Sequence, residues 1–119
     1  MKVLVVDDDH DQLEMVRRML GSYGCEVRVT SSPIGVTNLV REFLPDVVLL
    51  DVDIPALSGD KLVKLLRKRS TSRLVLFSAS DPEDLRRLSR EVGADTWIQK
   101  GISGKQLADR LFELCGLRP

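Results

Sequence analysis

No apolar run in this sequence approaches the roughly 20 residues of a membrane-spanning helix, so no membrane association is expected. The opening MKVLVV meets the acid Asp7 too early to form a signal peptide. Net charge is also missing, since 18 lysines and arginines balance 18 aspartates and glutamates. A neutral chain gives no electrostatic support for direct contact with nucleic acid. Cysteine is scarce, and Cys25 and Cys115 share no metal or redox spacing, which points to a reducing, cytoplasmic setting. Repeats, linkers and low-complexity stretches are absent as well. What remains is 119 residues, 43% hydrophobic and 30% charged, which predicts one soluble domain over residues 1–119 with one sizeable core.

Short apolar runs alternate with helical patterns along the chain. Val3 to Val6 reads as a strand, followed by a helix with Leu13, Val16 and Leu20 at helical spacing and stopped by Gly21 and Gly24. EVRVT (26–30) alternates like a strand, and Ser32-Pro33 reads as N-cap and first-turn proline of a helix burying Val36, Leu39, Val40 and Phe43. Val47 to Leu50 is a third strand, apolar on both faces. After Gly59 a helix turns Leu62, Leu65 and Leu66 inward and Lys61, Lys64, Arg67 and Lys68 outward. LVLF (74–77) and TWIQ (96–99) complete the strands. Asp81 and the SGKQ capping box (103–106) open the last two helices, which bury Leu85, Leu88 and Val92, then Leu107, Leu111 and Leu114. Five βα units predict an α/β fold: a doubly wound, five-stranded parallel sheet with helices on both faces and right-handed crossovers.

Ligands of such sheets bind beyond the carboxyl ends of the strands, where strand order reverses. Asp7, Asp8 and Asp9 follow the first strand, and Asp51 and Asp53 the third. Ser78 and Ser80 follow the fourth, and Lys100 the fifth. In the flavodoxin-like order 2-1-3-4-5 the first and third strands are neighbours, so their carboxylates converge. Burying carboxylates without a partner is costly, and a hard divalent cation such as Mg2+ would compensate them. A carboxylate beside magnesium, a hydroxyl and a lysine forms a phosphoryl-transfer site with an aspartate nucleophile. Asp9 reads as a helix-start residue, and His10 as an exposed first-turn residue rather than a phosphodonor. The runs RKRS and RRLSR read as solvated helix faces.

VVDDD, LLDVDIPALSG, FSAS and WIQK, in this order and spacing, resemble the response-regulator receiver domains of two-component signalling across essentially the whole chain. The resemblance implies that Asp51 accepts a phosphoryl group from a sensor histidine kinase or phosphotransfer protein. It implies that Asp7, Asp8 and Asp51 hold Mg2+ with the backbone carbonyl of Asp53. Ser78 and Lys100 would contact the phosphoryl group, with Ser78 and Trp97 as the switch pair and Pro55 and Gly59 in the following loop. The change would be read by a downstream output protein or domain, or by a second copy, on the face of the last two helices and fifth strand. Such a domain is a switch, not an enzyme with turnover on a free substrate. Three departures stand out: the extra acid Asp53, the bulky Trp97, and Gly101 where proline is usual, which predicts a trans Lys100–Gly101 bond and a Trp97 that stays outward. Two other readings are a receiver used only for docking and a phosphatase of the haloacid-dehalogenase type, suggested by DVD. That motif here follows the third strand rather than the first.

Overall fold

The computed structural model describes residues 1–52, 64, 66–68 and 71–117. Its strands are β1 (Lys2–Val6), β2 (Glu26–Thr30), β3 (Val47–Leu50), β4 (Arg73–Ser78) and β5 (Thr96–Gln99). Its helices are α1 (His10–Gly21), α2 (Val36–Phe43), α3 (Pro82–Val92) and α4 (Gly104–Leu114). Between β3 and β4, Lys64 and residues 66–68 are also helical. All strands are parallel in the order β2-β1-β3-β4-β5, as the sequence predicts.

The apolar runs are continuous because each central strand feeds two cores. Side chains alternate across a strand. Val3, Val5, Val47, Leu49, Val75, Phe77 and Ile98 therefore pack under α1 and α4 with Leu13, Val16, Leu20, Leu107 and Leu111. Leu4, Val6, Val48, Leu50, Leu74 and Leu76 face the other way, onto Val36, Val40 and Phe43 of α2 and onto Leu66. Fully burying such a side chain contributes about 1.5 to 3 kcal/mol, so a charge in the middle of β3 would be strongly destabilising.

Helix starts bear directly on the acids. The Asp9 carboxylate accepts from the backbone N–H groups of Asp11 and Gln12 and so caps α1. Asp7 and Asp8 are thereby left for another purpose. Asp81 caps α3, and Ser103 with Gln106 forms the reciprocal capping box of α4. Two helix boundaries differ from the sequence reading. Helix α1 runs through Gly21 to a Ser22 cap, and the left-handed turn falls at Gly24 (φ 83°). Helix α2 begins at Val36 behind a left-handed Gly35, not at Ser32-Pro33. The Ser32 hydroxyl accepts from the Ile34 N–H, and this local turn competes with helix initiation. Asp53, Pro55, Gly59, Lys61, Leu62 and Leu65 lie outside the described residues.

Candidate functional site

Pairing of β1 with β3 sets the site. Val6 stands opposite Leu50, and the Asp51 N–H donates to the Val6 carbonyl at 2.9 Å, so the residues that follow emerge side by side. Asp7 and Asp51 are only 3% and 6% exposed, while Asp8 is open to solvent. Carboxylate oxygens of Asp7, Asp8 and Asp51 lie within 4.8 Å of one another. Lys100, leaving β5, brings its Nζ to 2.7 Å from Asp7 Oδ2 and 3.6 Å from Asp51 Oδ2. The remaining Asp7 oxygen accepts the Asp9 N–H at 3.0 Å.

Burial alone would push the Asp7 carboxyl up. Hydrogen bonds from Lys100 and the Asp9 N–H, with a contact to Asp51, outweigh it and hold Asp7 below the ordinary aspartate value. Burial likewise works against the Lys100 ammonium. The hydrogen bond to Asp7 and the negative charge of Asp51 reverse that and raise its pKa. The sequence assigned compensation of these acids to a cation. In the structure part of it comes from Lys100, whose side chain is 16% exposed.

The chain around Lys100 is shaped to deliver it. Its backbone N–H donates to the Ser78 carbonyl at 2.8 Å, which continues the β4–β5 register past Gln99. Gly101 then turns with φ 99° and the described chain has no cis bond, so Lys100–Gly101 is trans as expected. Ser78, on the neighbouring strand end, is fully buried. Its hydroxyl is held by the Ser80 hydroxyl at 3.0 Å and the Ser80 N–H at 3.1 Å. That grip on Ser78 was not visible beforehand; its only sequence signal is the second serine two residues on. Gln99 Nε2 reinforces the turn by donating to the Ser80 carbonyl. Trp97 is half-buried and packs against the second core on the same side as Leu88 and Val92 of α3. Its carbonyl accepts from Arg110 of α4.

Three carboxylates in one crevice offer only oxygen donors, which suits a hard divalent cation and not a soft one. Two of these acids are buried and Asp8 is exposed, which suits magnesium, a cation that keeps water or phosphate oxygens beside one or two carboxylates. Among the described residues, no helix is long and apolar enough to cross a membrane.

Comparison with known proteins places the fold and family. The family described as "Response regulator receiver domain" matches residues 3–112. The DNA-binding response regulator MtrA of Mycolicibacterium paratuberculosis is 35% identical over 111 residues, covering 92% of this chain and 49% of that protein. The transcriptional regulatory protein YxdJ of Bacillus subtilis is 31% identical over 86% of this chain and 44% of its own length. The chain thus spans about half the length of these relatives. Among solved structures, the BeF3-activated N-terminal receiver domain of Klebsiella pneumoniae RstA superposes with a TM-score of 0.87 at 28% identity, covering 97% of this chain and 98% of that one. The chemotaxis protein CheY4 of Vibrio cholerae gives 0.83 at 26% identity, over 95% and 97% of the two chains. With the match running from β1 into α4, the chain belongs to the response regulator receiver domain family of two-component signalling.

Proposed function

We propose that residues 1–119 form one receiver unit whose Asp51 accepts a phosphoryl group from the phosphohistidine of a sensor kinase or phosphotransfer protein. An Asp51 carboxylate oxygen attacks phosphorus. The new P–O bond forms as the P–N bond breaks, and the imidazole nitrogen leaves with the electron pair. Charge in this transfer spreads over three phosphoryl oxygens, so catalysis is chiefly positioning and electrostatic stabilisation. Lys100, already between Asp7 and Asp51, supplies a mobile point charge to one oxygen. Ser78 supplies a hydroxyl to another once it leaves Ser80. Asp7, Asp8, Asp51 and the Asp53 carbonyl would hold Mg2+, which when bound neutralises the charge of the acids and of the incoming phosphate.

Movement of Ser78 toward the phosphoryl group opens space that Trp97 senses, and the face of α3, β5 and α4 carries the change to an output domain or protein. The names of relatives such as MtrA support an output partner, here in a cytoplasmic setting that the free thiols Cys25 and Cys115 also fit. One observation carries the reading: the buried Asp51 stands within 3.6 Å of Lys100 and shares a crevice with two further acids. Incubation with acetyl phosphate and magnesium followed by intact-mass measurement tests it. One added phosphoryl group is expected on the wild type and none on Asp51→Asn; a full-yield adduct on the variant would move the nucleophile elsewhere.

A further inference from the structure

At the end of the sheet opposite Asp51, the residues leading into β3 and β4 border a cavity of about 650 Å³. Its size falls in the range of small-molecule sites, roughly 300 to 1,000 Å³. Three segments bring cations to this hollow: Arg41 near the end of α2, Arg67 and Lys68 from the helical residues after β3, and Arg73 at the start of β4. Asp46 is the one acid among its described lining residues, and its carboxylate accepts the Lys2 N–H at 2.8 Å.

Pairing leaves a surplus. Arg67 and Arg73 share a single carboxylate, that of Asp95, at 2.8 and 3.6 Å. Arg41 and Lys68 have no hydrogen-bond or ion-pair partner among the described residues. Among the described residues, four cations against Asp46 and the shared Asp95 leave an excess of two positive charges. Basic residues on a convex helix face are solvated one by one, but a concave wall of one sign focuses the field and concentrates anions. Guanidinium groups offer paired donors that match phosphate oxygens, and the Thr71 hydroxyl adds another donor at the same wall. None of the lining residues is aromatic, so there is no ring for a base to stack on and the anionic groups must carry recognition.

We propose that this cavity binds a small molecule bearing two or more linked phosphate groups. Strand β3 is four residues long, about 13 Å, so such a ligand sits well away from the acids at its other end. The inference does not depend on Asp51 being phosphorylated.

Titration with inorganic pyrophosphate in magnesium-free buffer at constant ionic strength, followed by backbone amide NMR shifts, tests it. Saturating shifts are expected at residues 41–44, 46, 71–73 and 115. The doubly substituted Arg41→Gln, Lys68→Gln protein should bind at least tenfold more weakly, a loss of about 1.4 kcal/mol, while its amide spectrum remains that of the folded chain. Shifts that never saturate, shifts confined to residues 7, 8 and 51, or an unchanged dissociation constant in the folded double variant would each overturn the proposal. Equal affinity for citrate would overturn the assignment to phosphate.

Discussion

The two ends of the sheet treat their acids differently. At the amino end, Asp95 accepts the Leu74 N–H at 2.7 Å and two arginines, and Asp46 accepts the Lys2 N–H. Each acid there joins segments distant in the chain, and each is matched by donors. At the carboxyl end, the carboxylates of Asp7, Asp8 and Asp51 cluster, and the Lys100 ammonium pairs with Asp7 and Asp51. The first arrangement is satisfied and holds strands in register. The second crowds three acids around one crevice, and a fold tolerates such crowding where chemistry needs it. Crowding of carboxylates, more than charge itself, separates the Asp51 site from the acids of the scaffold.

The largest test of this contrast removes Lys100. Breaking a buried pair from one side costs about 3 to 5 kcal/mol. Lys100 keeps some water contact, so Lys100→Met should lose about 3 kcal/mol in urea unfolding without metal. The pH profile sharpens the point. Asp7 titrates below its ordinary 3.8 in the folded protein, so its contribution is present above 3.8 and lost as pH falls through the lowered value. Lys100 titrates above its ordinary 10.5, so its contribution is present below 10.5 and lost as pH rises through the raised value. Wild-type stability should therefore decline at both limits, and Lys100→Met should flatten both. An unchanged profile would mean the ammonium does not compensate the acids.

Magnesium should relieve the same crowding. A ligand of the folded state adds about 2.7 kcal/mol at a hundredfold excess over its dissociation constant. Thermal melts should show this gain in the wild type and a smaller one in Asp8→Ala; equal gains would remove Asp8 from the metal site. Gly101→Ala comes next. Among the described residues beyond its chain neighbours, no atom lies within 4 Å of the added methyl, so the cost is conformational, roughly 1 to 2 kcal/mol for a side chain held at φ 99°. Chemical denaturation reads that loss, and a neutral result would show the loop free to turn another way. The smallest effect is expected at the amino end, where Lys68→Gln should change stability by no more than about 0.5 kcal/mol. A larger loss would make Lys68 part of the scaffold.

Much of this was readable from residue order because the local signals agree. The run Val47 to Leu50 is apolar throughout since both sheet faces are covered, and the acids that follow it and Val6 must leave the core together. Helix α2 was misplaced at its start because Ser32-Pro33 serves equally well as a turn, and the hydroxyl bond to Ile34 decides between them. Asp95 carries no local signal, since nothing in its neighbours announces that it meets both the Leu74 amide and Arg67 from other elements. The hold of Lys100 on Asp7 spans 93 positions and follows from sheet order, not from any short motif.

The central claim is that Asp51, and not one of the acids around it, takes the phosphoryl group. Borohydride reduction after brief incubation with acetyl phosphate and magnesium converts an acyl phosphate to homoserine, and peptide mass mapping locates it. Homoserine at position 51 alone is the predicted result. Homoserine at position 7, 8 or 53, or none in a protein that gains the mass of one phosphoryl group, would contradict the account.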